Sequence, residues 1–461
     1  MEEEFAADSE DEQRSNDPIL ENMEWELYKA VDEGNIERFV ELLDRGCDVD
    51  SFFIDEANIS TKSLLHVCCE KGKKELVNIL LDRNTNLSAR DNWGQTPLMF
   101  CILAGRTEVA KIMLDYRPEL INDSDKYGDT CLHFAALNGM LDFMDILFQY
   151  NARVNAINQY GFTPLMSVII SRDIESTDIR KSVVNLLIAM GAEINLYEPR
   201  GKRTPLQLAV LTKHVDVVEI LLQAGADPNM ADRSGKIPLT NCILENIPVK
   251  QATGVAPIID PNIQSMIFLL TQAGSNLNLT MCEYSHALIC ASFVGSAELV
   301  QFFIEQGSIP NMVFPSGVTP ILAAVSRNQI NVVKHLLYWN CEFQNRGRIC
   351  RKRIDYYFDP FELAIFMKNW EIAKLLLFAG YQWKAGLVEK NEDLRDPLLA
   401  CEEMAKWYTD YTRTTQSLQF YCIRTIRSCI GGNISQKVKS LKLPPFINNK
   451  ILLNHLLSVD S

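Results

Sequence analysis

Apolar and polar positions along most of the chain follow one pattern that recurs at a nearly constant interval. A Thr or similar residue opens a stretch of small and apolar side chains, and a second stretch carries paired aliphatics and ends near a glycine. The clearest copies are TCLHFAALNGMLDFMDILFQYNARVN (residues 130–155) and TPLQLAVLTKHVDVVEILLQAGADPN (residues 204–229). Each copy predicts two helices, because a proline such as Pro205 suits a first helical turn and Gly225 suits the left-handed conformation after a helix.

The spacing of the copies predicts ten repeats. The intervals between their starts are 38, 33, 34, 33, 41, 33, 49, 33 and 40 residues, which indicates a basic period of 33. Longer intervals indicate insertions at residues 171–182, 246–262 and 342–358, which either shape a binding pocket or are tolerated surface loops. The predicted starts are Trp25, Ser63, Thr96, Thr130, Thr163, Thr204, Ile237, His286, Thr319 and Asp359.

Stacked repeats bury faces that one repeat cannot bury alone, so the pattern predicts a single all-α solenoid. We place an acidic disordered tail at residues 1–22, the repeat array at 23–380, a connecting helical segment at 381–416 and a small C-terminal helical box at 417–456. Residues 1–26 contribute −10 of the formal charge of −14, so the tail is either simply solvated or binds a basic partner.

Composition excludes several classes of function. No apolar run approaches the roughly 18 residues of a membrane span, and the acidic start does not resemble a secretory signal. These features predict an intracellular protein of the cytoplasm, with the nucleus as a second compartment. The net negative charge of the chain and the absence of a nucleic-acid-binding motif argue against a nucleic-acid partner.

Candidate catalytic and metal-binding residues are not apparent. The chain contains no phosphate-binding GxxxxGK[ST] loop, no GxSxG and no HExxH, so we expect no enzymatic activity and no cofactor. Most of the thirteen cysteines, such as Cys68, Cys101 and Cys290, occupy small apolar repeat positions and are expected to be reduced. His66 and His133 occupy the histidine position of the repeat, so no metal site is predicted.

Aromatic residues stand before the turn glycines of three consecutive repeats. Trp93, Tyr127 and Tyr160 precede Gly94, Gly128 and Gly161, and equivalent positions of stacked repeats lie side by side. We therefore interpret the three rings as a candidate substrate-binding row, since binding surfaces are rich in aromatic anchors. The alternatives are that each ring packs onto its own turn, or that a partner binds the face formed by the first helices.

A basic run lies in the link between the ninth and tenth repeats. It is either a contact for phosphate, for an acidic substrate segment or for an import receptor, or a solvated loop. Its members are Arg346, Arg348, Arg351, Lys352 and Arg353.

The segment SLQFYCIRTIRSCIGG (residues 417–432) places Leu418, Cys422, Ile426 and Ile430 on one side of a predicted helix, because they recur every four residues. VKSLKLPPFINNKILL (residues 438–453) follows shortly after it. Between this pair and the array, Asp396 is predicted to cap a helix that starts at Pro397 and docks the box against the last repeat.

Together, the repeats and the C-terminal pair resemble the family of ankyrin-repeat and SOCS-box proteins. The first segment matches the SOCS-box pattern SLxxxCxxxIRxxxG through Ser417, Leu418, Cys422, Ile426, Arg427 and Gly431. The resemblance implies that Leu418, Cys422, Ile426 and Ile430 bind Elongin C of the Elongin B/Elongin C adaptor. It also implies that Leu441, Leu443, Pro444 and Ile447 select a cullin scaffold with its RING subunit, although Lys442 and Lys450 depart from the usual motif.

The resemblance implies a non-catalytic substrate-recognition subunit of a cullin–RING ubiquitin ligase. Its ankyrin repeats would capture an unknown protein for ubiquitination and degradation. The alternative hypothesis is an ankyrin-repeat scaffold or tether that does not recruit a ligase.

Overall fold

The computed structural model describes residues 18–54, 61–248, 257–279, 282, 285–351, 354–379, 381, 391–402, 405 and 406. The chain divides into two compact units, residues 1–226 and 227–461. Within its described residues, the first unit contains six pairs of helices, and the second contains four pairs and one further helix.

The first unit begins with a 16-residue helix, whereas the first helix of most later repeats has seven residues, about two turns. Its helices are α1 (Pro18–Glu33), α2 (Ile36–Asp44), α3 (Leu64–Lys71), α4 (Lys74–Asp82), α5 (Pro97–Leu103), α6 (Thr107–Tyr116), α7 (Cys131–Leu137), α8 (Leu141–Gln149), α9 (Pro164–Ile170), α10 (Thr177–Ala189), α11 (Pro205–Leu211) and α12 (Val215–Gln223). A 3-10 turn at Pro118–Asn122 follows α6.

The second unit repeats the same pairing of helices. Its helices are α13 (Pro238–Asn246), α14 (Pro261–Gln272), α15 (Ala287–Val294), α16 (Ala297–Glu305), α17 (Pro320–Ser326), α18 (Ile330–Tyr338), α19 (Pro360–Phe366), α20 (Trp370–Phe378) and α21 (Glu392–Leu399).

Helices of neighbouring repeats pack side by side within each unit. In the first unit α3 contacts α5, α5 contacts α7, and α7 contacts α9, while in the second unit α15 contacts α17 and α17 contacts α19. Their apolar faces form the core, where Leu65, Leu98 and Leu322 are fully buried. The ten helix pairs confirm the predicted number of repeats and the mainly helical class.

Local signals at the helix starts explain the regular register. Every predicted start from Ser63 to Asp359 is the residue that caps a first helix. The predicted start at Trp25 was wrong, because α1 begins at Pro18 and Trp25 lies inside it with its side chain 56% exposed. The same helix covers residues 18–22, so the predicted disordered tail extended too far along the chain.

Two short β-hairpins interrupt the predicted all-α fold. In the first unit β1 (Phe52–Ile54) pairs antiparallel with β2 (Thr61–Ser63). In the second unit β3 (Gly347–Arg351) pairs with β4 (Ile354–Phe358), within the insertion predicted at 342–358. The aromatic rings of Tyr356 and Phe358 pack on Phe366 of α19, which fixes this hairpin on the last repeat.

Two members of the basic run, Arg346 and Arg348, are exposed and form ion pairs, and Arg348 lies in the β3–β4 hairpin. Arg346 forms an ion pair with the carboxylate of Glu362, whose side chain is 1% exposed, and Arg348 pairs with Asp355 at 2.9 Å. Lys352, Arg353 and the side chain of Arg351 lie outside the described residues.

Of the other insertions, residues 171–182 form part of the fold. They contain the start of α10, and the buried guanidinium of Arg180 donates to the carbonyl oxygens of Ser171 at 3.2 Å and Ile174 at 2.6 Å. This hydrogen bonding ties the insertion to the repeat. Within 246–262, residues 249–256 lie outside the described part of the chain.

The connecting helix starts earlier than the sequence predicted. It is α21, which begins at Glu392, and the side chain of Asn391 caps it by accepting from the backbone N–H of Asp393 at 3.0 Å. Asp396 is therefore not its cap, and Pro397 lies inside the helix. Leu394 and Leu398 are buried, and α21 contacts α19 of the last repeat.

Candidate functional site

The turns before α5, α7 and α9 share one internal support, which positions the predicted aromatic row. The Asp91 carboxylate accepts from the backbone N–H groups of Trp93 and Gln95 at 2.9 and 2.7 Å. Asp125 accepts in the same way from residues 127 and 129, and the side-chain oxygen of Asn158 accepts from residues 160 and 162. A side-chain acceptor that holds its own turn is typical of Asp and Asn.

Backbone hydrogen bonds join each turn to the next. The N–H of Lys126 donates to the carbonyl of Trp93 at 3.1 Å, and the N–H of Gln159 donates to the carbonyl of Tyr127 at 2.8 Å. Gly94 adopts a positive φ of 74°, and a Cβ there would lie 2.7 Å from the backbone nitrogen of Lys126. The turns therefore lie as close together as glycine allows.

The side chains on these turns form a continuous stack, which we name the turn column: Trp93, Lys126, Tyr127, Tyr160 and Arg200. The ammonium of Lys126 lies 3.8 Å from the centroid of the Trp93 ring and 5.1 Å from that of Tyr127. Tyr127 stacks on Tyr160 with ring centroids 6.4 Å apart, and the Arg200 guanidinium lies 5.4 Å from the Tyr160 centroid. Cations over aromatic faces at such distances attract the rings electrostatically.

The predicted row of rings is thus present as a structure, and its role in binding stays a prediction. Trp93 and Tyr160 are 39% and 41% exposed, and Tyr127 is half-buried between its neighbours. The rings pack on the next turns and on two cations, which differs from the alternative that each ring covers its own turn.

A cavity of about 330 Å³ adjoins the turn column at Tyr160. It lies beside α7 and α9, each the first helix of its repeat. The cavity is therefore on the face that the sequence offered as the alternative binding surface. Most of its lining is apolar, with a few polar groups among the side chains. Its volume is at the small end of the range for ligand pockets. The lining residues are Asp129, His133, Phe134, Leu137, Asn158, Tyr160, Phe162, Ser167 and Ile170.

His133 in this cavity has a structural role. Its Nδ1 accepts from the backbone N–H of Thr130 at 3.1 Å, so its Nε2 carries the proton that is donated to the carbonyl of Phe162 at 3.0 Å. Burial lowers the pKa of His133, which favours this neutral form. His66 makes the corresponding bonds to Ser63 and Gln95. Each ring joins its repeat to the next turn.

Buried carboxyls support the turns and do not present charge to a partner. Burial raises the pKa of Asp125, and the backbone amides of Tyr127 and Asp129 oppose this effect by stabilising its charged form. In the sixth repeat Glu198 is buried and accepts from the N–H of Gly201 at 2.8 Å.

Other predicted site residues lie elsewhere or outside the described chain. The described residues contain no cluster of three metal-binding side chains. The cysteines whose side chains are described are free thiols, and Cys68, Cys101 and Cys290 are buried. No helix in the described part of the chain combines the length and apolar character needed to cross a membrane. The predicted Elongin C residues Leu418, Cys422, Ile426 and Ile430, and the predicted cullin residues Leu441, Leu443, Pro444 and Ile447, lie outside the described residues.

Comparison with known families identifies the repeats. A sequence model of ankyrin repeats (three copies) matches residues 27–122, 117–197, 158–232, 176–249 and 259–347, which together cover more than half of the chain. The chain belongs to the ankyrin-repeat family. The matches include every turn of the turn column, so this surface is part of an ankyrin array.

Relatives that match the array are diverse. The transient receptor potential cation channel subfamily A member 1 of Homo sapiens is 24% identical over 319 residues, covering 68% of this chain and 26% of the relative. The E3 ubiquitin-protein ligase KEG of Arabidopsis thaliana is 23% identical, covering 68% of this chain and 19% of the relative. The nuclear factor NF-kappa-B p105 subunit of Gallus gallus is 27% identical, covering 40% of this chain and 18% of the relative. The chain spans less than a third of each, and the ankyrin array they share indicates protein–protein interaction.

Sequence reasoning missed the two cations of the turn column. Arg200 stands before Gly201, just as an aromatic ring stands before the glycine in each of the three preceding ankyrin turns, although the sixth turn is one residue longer. Extending that comparison by one repeat would have identified Arg200. Lys126 gives a weaker signal, because only the side-chain conformation in the structure shows that it lies over Trp93.

Proposed function

We propose that this ankyrin-repeat protein is a non-catalytic substrate-recognition subunit of an Elongin B/C–cullin–RING E3 ubiquitin ligase. The observation that carries the proposal is the match of Ser417, Leu418, Cys422, Ile426 and Arg427 to the SOCS-box pattern directly behind an ankyrin array. The array captures a target protein, and the C-terminal box recruits the adaptor and, through it, the cullin and RING subunits. The cytoplasm, and also the nucleus, are the compartments in which this assembly acts.

The structure of the last repeat supports the proposal. Helix α21 packs on α19, with Leu394 and Leu398 buried, so residues 392–399 of the segment between the array and the box are attached to the last repeat. A fixed attachment favours a defined angle between a captured protein and the ligase. Ubiquitin transfer then depends on holding an acceptor lysine near the activated thioester, which raises its effective concentration. The chain itself makes no bond in this proposal.

The adaptor half of the box is the part to test first. Purified full-length chain should co-elute with Elongin B and Elongin C in size-exclusion chromatography. Leu418→Asp combined with Cys422→Asp should abolish co-elution, because burying a leucine contributes about 1.5–3 kcal/mol and a carboxylate cannot take its place. Arg424→Asp puts a similar charge on the opposite side of the predicted helix and serves as the control.

Unchanged co-elution of the double variant, or its loss in the control, would contradict the proposed adaptor face. A scaffold or tether without ligase recruitment is the second candidate, and Lys442 and Lys450 in the cullin-selecting half favour it. Ubiquitin transfer with and without a cullin–RING module separates the two, since a tether supports no transfer.

A further inference from the structure

We propose that the turn column binds an extended acidic segment of a partner protein, in which carboxylates recur at every second residue around one large apolar side chain. This inference rests on the coarser part of the proposed function, capture of a protein by the array, and does not require the ligase.

The polar groups of the column are hydrogen-bond donors or can act as donors. They are the indole N–H of Trp93, the ammonium of Lys126, the hydroxyls of Tyr127 and Tyr160, and the guanidinium of Arg200. A surface of this kind is complementary to a partner that supplies acceptors. Carboxylates supply them together with the negative charge that the two cations attract.

The exposed charge of these turns is mainly positive, opposite to that of the chain. The exception is Asp129, which is partly exposed and accepts from the side chain of Asn158 at 2.8 Å. Lys126 is exposed, and the sixth turn exposes Arg200, Lys202 and Arg203, whereas Glu198 is buried in support of that turn. Asp91 and Asp125 are also buried and accept from backbone amides. The whole chain has a formal charge of −14, so a cationic surface here selects an anionic partner against a generally repulsive background.

The spacing of the column fits one extended peptide. The rings of Tyr127 and Tyr160 lie 6.4 Å apart. In an extended strand, residues on the same side are two positions apart, which is about 6.6 Å. Carboxylates at alternate positions of the peptide therefore match the spacing of the two tyrosines.

The cavity beside Tyr160 accounts for the apolar side chain. Tyr160 belongs both to the column and to the cavity of about 330 Å³, whose lining includes Phe134, Leu137 and Ile170. A leucine or phenylalanine two positions from a carboxylate that pairs with Arg200 lies on the same side of the strand and would enter this space. Backbone hydrogen bonds join the turns and stacking holds the rings. The column itself therefore loses little conformational entropy when a peptide binds.

Fluorescence anisotropy of the full chain tests the proposal. The probe is a short labelled peptide in which glutamates alternate with alanines around one central leucine, and matched peptides replace glutamate by glutamine, leucine by alanine, or glutamate by phosphoserine. We expect the glutamate peptide to bind with an affinity that falls as salt rises. The glutamine peptide should bind at least tenfold more weakly, and the leucine-free peptide should also lose affinity.

Variants of the chain locate the binding site. Lys126→Glu and Arg200→Glu should each reduce affinity at least tenfold, and Lys126→Met should reduce it while the aliphatic stem still covers Trp93. Lys74→Glu reverses an exposed cation on α4, outside the column, and should leave affinity unchanged. Circular dichroism and urea unfolding confirm that each variant is folded.

Several outcomes would overturn the proposal. One is full affinity for the glutamate peptide in both Lys126→Glu and Arg200→Glu. Another is an equal loss of affinity in Lys74→Glu, and a third is binding of the phosphoserine peptide alone. Failure here leaves the Elongin test unaffected, because that test depends on residues 417–461 and reads adaptor co-elution. Failure of the Elongin test likewise leaves peptide binding intact, so the two proposals can be judged separately.

Discussion

His286 occupies the helix-capping position of its repeat, where most other repeats carry a hydroxyl or carboxylate. His66 and His133 bond through both ring nitrogens, whereas neither nitrogen of His286 has a hydrogen-bond partner among the described residues. The His286 ring is fully buried and contacts Phe314 edge-on at 5.8 Å. Burial lowers its pKa from 6.5 to about 4. This residue is therefore a source of acid sensitivity in the second unit.

We predict that His286→Thr makes the second unit less sensitive to acid. Because the folded pKa is lowered, the stability from neutral His286 is fully present above 6.5 and is lost as the pH falls from 6.5 towards about 4. The loss amounts to at most about 3 kcal/mol. Urea unfolding near pH 7 and near pH 5 measures it, and threonine also restores a capping hydroxyl.

His335→Gln is the control for this prediction, because His335 lies in the same unit on α18 and is not fully buried. It should retain the acid sensitivity of the unsubstituted chain. Equal sensitivity in His286→Thr and His335→Gln would show that the buried ring is not its source.

Asp359 should give the stability of the second unit the opposite pH dependence. Burial raises its pKa to about 6, although the N–H of Glu362 and the hydroxyl of Tyr381, which donates at 2.6 Å, both favour the charged form. The stability contributed by protonated Asp359 is fully present below pH 3.8 and is lost as the pH rises through about 6. Asp359→Asn should therefore gain up to about 3 kcal/mol in free energy of unfolding near pH 8, relative to the unsubstituted chain.

Urea unfolding across this pH range checks the prediction for Asp359. Tyr381→Phe provides a second arm, since removing a donor to the carboxylate should raise the pKa of Asp359 further and increase the loss of stability at high pH. An unchanged pH profile in both variants would contradict the prediction.

At the scale of elements, the sequence predicts what neighbouring residues determine. Thr204 with Pro205 marks a helix start without any distant contact, and the period places nine of ten starts correctly. The start at Trp25 failed because α1 is longer than other first helices and begins at Pro18. Helix α21 was misplaced because Pro397 resembled a first-turn proline, whereas Asn391 caps the helix six residues earlier.

Elements that depend on distant contacts were not predicted. The β3–β4 hairpin is fixed by the packing of Tyr356 on Phe366 and by a bond from the N–H of Arg348 to the carbonyl of Ser316 at 2.8 Å. Neither partner is visible in the pattern of the insertion. The turn column lies between these cases, because periodicity predicted its three rings and only side-chain geometry revealed Lys126 above Trp93.

Helix α21 offers two adjacent leucines in different environments. Leu398 is 3% exposed and Leu399 is 62% exposed. We predict that Leu398→Asp releases α21 from the last repeat, because a buried leucine contributes about 2–5 kcal/mol and a buried carboxylate is costly. Trypsin cleavage after Arg395, followed by mass spectrometry, should be at least tenfold faster than in the unsubstituted chain. Leu399→Asp should not change the rate, and equal acceleration in both variants would show that Leu398 does not hold the helix.

At the scale of the whole molecule, stability in an ankyrin array is the sum of contacts between neighbours, so damage should remain local. Leu336→Ala removes a fully buried side chain from α18 in the second unit and should cost about 2–5 kcal/mol. We expect hydrogen exchange with mass spectrometry to show faster exchange in α16, α17 and α20, which pack beside or near α18, and unchanged exchange in α3 to α9. Met144→Ala in α8, also fully buried, should produce the reverse pattern. If either substitution accelerates exchange equally in both units, the chain unfolds as one cooperative body, and the additive description of its stability is wrong.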